Sequence, residues 1–460
     1  MINMKKNFLG IDIGTSSVKA LLLGDDGRIL KYKQNYKEVS INGWRDAIKN
    51  VLKNFNGENI TAVSFCSQVG TYILDDDKII EWNSSAGKEQ IELLKETITK
   101  EEFIEEISMN HPDIISYPLP RYLYVKQNYP RVKKVCMPKE YFIEQLTGNY
   151  VTDQYSMRGI ANLKNNEYSK KLLGKFNVDF NLPKIVDATA LCGYVSESAE
   201  KEFSIKKGIP VYVGCNDFFA GLLGMGIIKE EQCFDLSGTS EHFGVITKDL
   251  IDTNMVSGKY FYHNVTYGGT KSSGVSCDFA IKNFGLDEID FREELEKNPP
   301  IFLPYLTGER APIFDENARG VFFGISDKTD KKALAYSVLE GVLFSLYDIA
   351  DNLGNSKTDY IICGGGSTVN PEFSKMKATL FGKRVINAVE KDVSALGAAL
   401  IAMVGYGYKK DLVCAVSEYV KYEENILPEE KYRLKILKRF DVYRSIYKSL
   451  KTNFKNFKEI

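Results

Sequence analysis

The chain has few residues of the kind that bind transition metals. Only three histidines occur among its 460 residues, and none lies in an HxxxH spacing or beside a cysteine pair. The eight cysteines are scattered without any CxxC spacing, and several lie within apolar runs such as 361–363. Structural zinc sites need clustered Cys and His ligands, so we expect no metal of this class. We expect the cysteines to be reduced core residues of a cytosolic chain.

The chain also lacks an excess of charge of either sign. Lys and Arg total 60 and Asp and Glu total 61, which leaves a net charge of −1. Binding to nucleic acid or to anionic lipid is therefore not favoured by overall electrostatics. The N-terminus enters a strand-like run by residue 7, and the apolar run from Ala395 to Val404 is too short to span a bilayer. We expect a cytoplasmic protein without a signal peptide or a membrane span.

The length predicts two domains, and their pattern of strands suggests a duplication. Strands are predicted over 7–13, 18–23 and 28–32, with a helix over 44–55 and a buried strand over 61–65. A second strand-turn-strand unit begins at residue 233, and aligning the halves superimposes two Gly-Thr-Ser triplets. We therefore predict related α/β domains at 1–230 and 231–460. A chance coincidence of the triplets is the alternative.

The first triplet has the chemistry of a phosphate-binding turn. Gly14 permits a tight turn, and Thr15 and Ser16 add hydroxyl donors to its backbone N–H groups. Asp12, two residues earlier on the same strand, could hold magnesium through water, and Lys19 adds positive charge. The alternative is an ordinary β-hairpin turn.

The second triplet, with Gly238 and Thr239, offers the same donors from the other half. Two such turns predict a triphosphate held in a cleft between the domains. Neither turn matches GxxxxGK[ST] or GxGxxG, which argues against a Walker-type or dinucleotide fold. A third glycine-rich junction at 364–367 joins a strand to a helix over 371–381, and a phosphate or flat ring could approach it closely. A plain tight turn is the alternative there.

Asp217 is the candidate general base. It follows a β-rich run that ends at Gly-Cys-Asn and precedes an apolar helix, so its carboxylate would lie at a strand end. Phosphoryl transfer to a hydroxyl needs an anionic proton acceptor within hydrogen-bond reach. The alternative role for Asp217 is that of helix N-cap, which its position alone favours.

Residues 431–460 form a basic amphipathic pattern, with apolar residues at spacings of three and four. Such a helix could lie on a membrane, but packing of its apolar stripe against its own domain is the favoured interpretation.

Taken together, these motifs resemble the FGGY family of carbohydrate kinases. The resemblance covers nearly the whole chain in the family's order, and several motifs in register are more specific than any one of them. The segments that carry it are DIGTSSVK (12–19), PKEYFIEQLTGNYVTD (138–153), GCNDFFAGLLGMG (214–226), SGTSEHF (237–243), PYLTGERAPIFDENARGVFFGIS (304–326), CGGGSTVNPEF (363–373) and SALGAALIA (394–402).

The resemblance implies two ribonuclease H-like, actin-type domains with an interdomain cleft, in which ATP and Mg²⁺ bind and a sugar hydroxyl is phosphorylated. It implies a sugar-binding N-terminal domain and a nucleotide-binding C-terminal domain, and we consider a homodimer as the assembly. By position, Asp217 is the general base and Asp12 the metal-linked carboxylate. The cofactor-binding set is Gly14, Thr15, Ser16, Lys19, Gly238, Thr239, Gly274, Gly365, Gly366 and Asn370. The substrate-binding set is Gln68, Val69, Trp82, Asn216 and Asp217. The LTGERAP segment is expected to be structural more than catalytic.

The sequence departs from the family's pattern where the sugar is expected to bind. Many ketopentose kinases of the family carry SGQMHG where this chain reads CSQVG at 66–70, and their SDAS stretch corresponds to YSMR at 155–158. The substrate is therefore expected to be a ketopentose such as xylulose or an aldonic acid such as gluconate. Arg158 could favour the acid, although a surface arginine is its simpler interpretation.

Two other functions share the predicted architecture. An actin-type ATPase would hydrolyse ATP without a sugar, and a regulator would bind the sugar without turnover. The GCND and GERAP segments resemble sugar kinases and not those proteins.

Overall fold

A computed structural model describes residues 5–110, 114–238, 241–285, 289–354 and 357–457. Thr239 and His111, both singled out in the sequence, lie outside the described residues.

The described strands, in chain order, are β1 (Asn7–Ile13), β2 (Ser17–Gly24), β3 (Ile29–Asn35), β4 (Ile60–Ser67), β5 (Tyr72–Leu74), β6 (Ile79–Ile80), β7 (Val135–Cys136), β8 (Val151–Asp153), β9 (Ala161–Asn162), β10 (Glu167–Tyr168), β11 (Lys184–Val186), β12 (Leu191–Tyr194), β13 (Pro210–Asn216), β14 (Cys233–Ser237), β15 (Glu241–Thr247), β16 (Val256–Tyr260), β17 (His263–Thr270), β18 (Ile301–Leu303), β19 (Val321–Phe323), β20 (Tyr360–Gly365) and β21 (Arg384–Asn387).

The described helices are α1 (Ile41–Lys53), α2 (Lys88–Thr97), α3 (Lys100–Ile107), α4 (Pro118–Asn128), α5 (Pro138–Thr147), α6 (Lys170–Lys175), α7 (Glu197–Phe203), α8 (Asp217–Gly224), α9 (Ser273–Asn283), α10 (Phe291–Glu296), α11 (Lys331–Leu353), α12 (Pro371–Phe381), α13 (Val393–Gly405), α14 (Leu412–Tyr419) and α15 (Glu430–Phe457), with a 3₁₀ turn over Gly366–Val369.

The chain divides into two compact units. Unit 1 comprises residues 1–228, 257–264 and 392–420, and unit 2 comprises 229–256, 265–391 and 421–460. This division differs from the single boundary predicted after residue 230, because α13 and α14 come late in the sequence but group with unit 1. Sequence order alone does not reveal such a return of the chain.

Unit 1 is built on a six-stranded sheet in the order β12-β13-β4-β1-β2-β3. Strands β1, β2 and β3 form the predicted antiparallel meander, while β1, β4 and β13 run parallel to one another. Helix α1 begins at the N-cap Ser40, whose side chain accepts from Gly43 N. The buried side of α1, including Trp44 and Ile48, joins the hydrophobic core on this sheet.

Unit 2 repeats this arrangement on a second six-stranded sheet, in the order β16-β17-β15-β14-β20-β21. Strand β14 is antiparallel to β15 and parallel to β20, and β20 is parallel to β21. These relations match those of β1 with β2, of β1 with β4 and of β4 with β13. The shared topology supports the duplication and disfavours a chance coincidence of the triplets.

Helices α11 and α15 complete the core of unit 2. The inward side of α15 carries Ile436, Phe440, Tyr443 and Tyr447 into that core, so the predicted packing of this amphipathic helix is confirmed. Helix α11 is long and apolar enough to cross a membrane, but 83% of its most apolar window is buried inside the protein. It is longer than the apolar run identified from the sequence, and it is a core helix.

Helix α13 packs closely in unit 1 because small residues line it. A Cβ added at Gly397 would lie 1.8 Å from Ala220 O of α8, and one added at Gly10 of β1 would lie 2.0 Å from Ala395 O of α13. Real Cβ atoms do not approach carbonyl oxygens this closely. Glycine is therefore required for α13 to contact both elements.

We predict that Gly397→Ala lowers the free energy of unfolding by about 1–3 kcal/mol, because α13 must move away from α8 to make room for the added methyl group. Urea denaturation measures the change. Gly174→Ala is the control, since nothing lies within 4 Å of the added Cβ there, and it should be neutral or stabilising by about 0.5–1 kcal/mol. Equal effects of the two substitutions would contradict the prediction.

Candidate functional site

The carboxyl ends of three parallel strands bring two acidic side chains of unit 1 together. Asp12 of β1 lies in register with Cys66 of β4, and Cys66 lies in register with Cys215 of β13. Asp217 begins α8, two residues after Cys215. Because parallel strands end at the same edge of a sheet, the edge that carries Asp12 also carries Asp217.

The structure separates the roles of Asn216 and Asp217. Asn216 is the N-cap of α8, and its Oδ1 accepts from Phe219 N at 2.8 Å. Asp217 is the first helical residue, and its Oδ1 accepts from the adjacent Phe218 N, also at 2.8 Å. The interpretation of Asp217 as the helix cap is therefore wrong. Its carboxylate is free to serve another purpose.

Both carboxylates are harder to ionise than usual. Burial, together with the nearby Asp12, raises the pKa of Asp217 from 3.8 to about 7. Burial also raises the pKa of Asp12 to about 6, although Lys19 and the Cys66 thiol oppose the shift. Clusters of such perturbed acids are characteristic of catalytic sites.

Cys66 and Ser394 connect these acids to helix α13; the sequence analysis placed both residues in family motifs but did not assign them this role. The Cys66 thiol lies 3.6 Å from Asp12 Oδ1 and 3.4 Å from the carbonyl oxygen of Ser394, within donating distance of each. Ser394 Oγ donates to the carbonyl oxygen of Asp217 at 2.9 Å. Burial and the adjacent Asp12 raise the pKa of Cys66 well above its ordinary value, so the thiol keeps its proton and acts as a donor.

The predicted phosphate turn is present between β1 and β2. Gly14 N donates to Ser17 O at 3.0 Å, and Thr15 and Ser16 are exposed at the tip. Tyr36 fixes the turn from the side, because its hydroxyl donates to Gly14 O and its backbone N donates to Ser16 O at 3.2 Å. The exposed hydroxyls are thus presented on a rigid backbone.

Lys19 has a protein partner. Its Nζ lies 2.9 Å from Asp392, the residue preceding α13, and Lys31 lies 3.3 Å from the other oxygen of that carboxylate. Burial opposes ionisation of Asp392, but the two lysines hold its pKa below the ordinary value. The predicted phosphate-facing charge of Lys19 is therefore shared with an acid that the sequence analysis did not identify.

The candidate sugar residues lie in two loops of unit 1. Gln68 follows β4, is 3% exposed, and has no hydrogen-bond partner for its side-chain amide in the part of the chain described. Val69 beside it is half-buried. Trp82 lies in the loop after β6, where its backbone N donates to Thr71 Oγ1 at 3.2 Å and its carbonyl oxygen accepts from Arg121 Nη2 at 3.1 Å. Leaving a buried side-chain amide without a hydrogen-bond partner is unfavourable by about 1–3 kcal/mol. A bound ligand would remove this cost at Gln68, so Gln68 is better supported as a ligand contact than Trp82.

Arg158 is not a surface residue, contrary to the simpler sequence interpretation. It is 4% exposed, and its guanidinium lies 4.7 Å from the ring centroid of Phe219, two residues beyond Asp217. The segment that leads to it is held by Asp153, which accepts from Tyr155 N at 2.8 Å and pairs with the buried Lys139 at 3.0 Å. A fixed positive charge thus lies in the same unit as the acidic pair.

The second set of predicted turns comes together in unit 2. Ser237 of β14 lies in register with Gly365 of β20, so Gly238 and Gly366 follow neighbouring strand ends. Gly365 has φ +87°, and a Cβ there would lie 1.9 Å from Ser237 O, whereas a Cβ on Gly366 would meet nothing within 4 Å. Gly365 is therefore required for packing, and Gly366 is open to a ligand.

Asn370 and Gly274 lie at helix beginnings in unit 2. Asn370 caps α12, with its Oδ1 accepting from Glu372 N at 3.0 Å and Phe373 N at 3.2 Å. Gly274 lies in the first turn of α9. Burial and Glu241 raise the pKa of Cys277, one turn further along α9, to about 12.

The LTGERAP segment is held by Glu309, which is 2% exposed. One carboxylate oxygen accepts from Thr270 at 2.7 Å and Ser345 at 3.1 Å, and the other accepts from Lys271 N at 2.8 Å. These bonds join the segment to β17 and α11, as a structural role requires.

Family models identify the chain. The N-terminal domain model of the FGGY family of carbohydrate kinases matches residues 7–224, and the C-terminal domain model matches residues 236–406. The chain belongs to the FGGY family of carbohydrate kinases. It is a sugar kinase, a phosphotransferase that uses ATP and acts on a small-molecule sugar, so the ATPase and regulator alternatives are set aside.

Relatives and solved structures agree with this assignment. The chain is 28% identical to the xylulose kinase of Lactococcus lactis subsp. lactis (strain IL1403), covering 96% of each protein. It is 25% identical to the gluconokinase of Bacillus subtilis (strain 168), covering 91% of each. The crystal structure of ligand-bound xylulose kinase from Lactobacillus acidophilus matches 98% of this chain and 100% of that one, with a TM-score of 0.87 and 25% identity. The predicted actin-type, ribonuclease H-like fold of this kinase is confirmed.

We predict that Asn216→Ala destabilises the kinase while Asp217→Asn does not. Loss of the cap should lower the free energy of unfolding by about 0.5–2 kcal/mol. The pKa of Asp217 is raised on folding, so ionisation of this group opposes folding as the pH rises past 3.8 and toward 7. Asp217→Asn should therefore be at least as stable as the wild type at pH 8. Urea unfolding at that pH tests both, and a less stable Asp217→Asn variant would contradict the assignment.

Proposed function

We propose that this kinase transfers the γ-phosphate of ATP to a hydroxyl of a ketopentose such as xylulose, with Asp217 as the general base. The observation that supports this role most directly is that Asn216 caps α8, so the buried Asp217 carboxylate is not needed as the cap. Asp217 accepts the hydroxyl proton as the sugar oxygen bonds to the γ-phosphorus, and the bond to the bridging oxygen of ADP breaks. The xylulose kinases among the relatives support the ketopentose.

An aldonic acid such as gluconate is the second candidate substrate. Arg158 favours it, because its buried guanidinium lies against Phe219 of α8 and could attract a carboxylate. The gluconokinase relative of Bacillus subtilis supports the same class. In either case Gln68, Val69, Trp82 and Asn216 are proposed as sugar contacts.

We assign nucleotide contacts to the glycine turns. Gly14, Thr15 and Ser16 would donate to the transferred phosphoryl group, with Lys19 nearby. The proposed contacts in unit 2 are Gly238, Thr239, Gly274, Gly365, Gly366 and Asn370. The register of β14 with β20 and the open space above Gly366 support this assignment.

Asp12 is the proposed Mg²⁺-linked residue. Its carboxylate is buried and accepts from a neutral thiol, which suits a cation held through water. No group of three acidic, His or Cys side chains is arranged to hold a metal among the described residues, so phosphate oxygens and water would complete the shell. Bound Mg²⁺ would neutralise charge on the phosphates. We also propose a cytoplasmic location, which reduced cysteines support, and a homodimer as the assembly.

We predict sugar-dependent release of ADP in a coupled assay on ketopentoses, aldonic acids, polyols and ketohexoses. Turnover with xylulose but not gluconate would support the ketopentose, and the reverse would support the acid. Asp217→Asn should lower kcat by about 10²–10⁴-fold and leave ADP binding within a few-fold of the wild type. Retention of more than about a tenth of the rate would remove Asp217 from the base role.

The pH dependence follows from the same carboxyl group. A base must be ionised, and the pKa of Asp217 is about 7 in the free protein. At saturating ATP, kcat/KM for the sugar should fall about tenfold per pH unit below 7 and level off above it. A profile that stays flat from pH 8 to pH 5 would exclude this group as the titrating base.

A further inference from the structure

Three charged side chains of unit 2 are enclosed together beside the Gly238 turn. Asp235, Glu241 and Lys377 are 1%, 0% and 2% exposed. Lys377 forms an ion pair with Asp235, and its Nζ lies 3.6 Å from Glu241 Oε1. Burial alone would lower the pKa of Lys377, but the two carboxylates outweigh it and hold that pKa above the ordinary value. The lysine is therefore charged.

Stability does not explain this buried cluster. Replacing buried ion pairs by packed apolar residues is often neutral or stabilising. Asp235 Oδ1 and Glu241 Oε2 also lack a hydrogen-bond partner within the described ranges, which is unfavourable for enclosed carboxylates. An orienting role is the remaining physical reason for charges at these positions.

The cluster joins three elements that surround the proposed nucleotide turns. Asp235 lies on β14, and Glu241 is the first residue of β15, in register with Ser237 across the turn. Lys377 lies on α12, which follows the turn at 366–369. One ion cluster thus fixes the strands on both sides of Gly238 to the helix that follows Gly366.

Ser367 extends the connection to the second turn. Its Oγ donates to Glu241 Oε1 at 3.2 Å, and its backbone N donates to Ser237 Oγ at 2.8 Å. Ser237 Oγ in turn donates to Gly364 O at 2.9 Å. The two turns are therefore connected both by backbone-directed bonds and through the Glu241 carboxylate.

We propose that Glu241, oriented by Lys377, is a positioning residue that fixes the Gly238 turn against the Gly366 turn and thereby sets the affinity for ATP. This inference rests on the proposed placement of the nucleotide on unit 2. Because Glu241 is fully enclosed, it acts through the turns and not by touching the nucleotide.

Calorimetric binding of ADP to the full-length kinase tests the proposal. Glu241→Gln keeps the shape of the side chain but removes its attraction to Lys377, and Ser367→Ala removes the bond between the turns. Each variant should weaken ADP binding about five- to tenfold, as expected when one hydrogen bond that positions the site is lost, with KM for the sugar unchanged. The double variant should bind ADP at most about tenfold more weakly than the wild type, because both changes break the same connection between the two turns.

Controls separate this inference from the proposed function. Ser367→Thr retains the hydroxyl and should bind ADP like the wild type, as should Ser445→Ala, an exposed serine of α15. Gly238→Val crowds the proposed phosphate turn itself. If it weakens ADP binding while Ser367→Ala and Glu241→Gln do not, the positioning role is overturned and the nucleotide placement stands. If folded Gly238→Val also binds ADP normally, the placement on unit 2 fails and the inference fails with it.

Should Glu241→Gln fail to fold, the comparison of Ser367→Ala with Ser367→Thr decides the question. Weak ADP binding by the alanine variant and normal binding by the threonine variant support the connection. Equal binding by both overturns it.

Discussion

The chemistry of unit 1 depends on the burial of carboxylates at the end of a parallel sheet. Strands β1, β4 and β13 end side by side, and helix α13 covers these ends because glycines let it approach within backbone contact. Water is thereby removed from Asp12 and Asp217, and their pKa values rise to about 6 and about 7. If α13 packed less closely, water would reach both acids, and their pKa values would fall toward the ordinary value for aspartate.

The duplicated unit uses the same strand topology with a different distribution of charge. In unit 1 burial raises the pKa values of Asp12 and Asp217. In unit 2 burial and the neighbouring Glu241 also raise the pKa of Asp235, to about 8, but there Lys377 forms an ion pair with Asp235 and lies 3.6 Å from Glu241. The buried lysine is thus a feature of unit 2, to which the proposed division of labour assigns the nucleotide.

The sequence predicts those parts of the fold that local pattern controls. The meander β1–β3, helix α1, strand β4 and the turn at Gly14 follow from alternation and from glycine chemistry over a few residues. Helix α15 and its buried side can also be predicted from the sequence, because the spacing of its apolar residues is regular over many turns. The middle of the chain is less regular, because the short strands β7–β10 interrupt helices α2–α6.

The contacts that the sequence did not predict join residues that are distant in sequence. Cys66 approaches Ser394 across 328 positions, and Lys19 pairs with Asp392 across most of the chain. An arginine is usually exposed, yet Arg158 is buried and its guanidinium lies against the ring of Phe219. No local pattern encodes such contacts, since they arise only when the chain returns to unit 1 at residue 392.

Capping of α8 and acceptance of a proton are two roles that position in the sequence does not divide between Asn216 and Asp217, and the structure assigns the capping role to Asn216. Either side chain could cap a helix, because the side-chain oxygen of a cap accepts hydrogen bonds from backbone N–H groups. Because Asn216 takes this task with a neutral amide, the neighbouring carboxylate keeps one oxygen away from backbone donors. Each further donor would have lowered the pKa of Asp217 and weakened it as a base. A neutral cap followed by an acid therefore combines a stable start of α8 with a carboxylate that is basic near neutral pH.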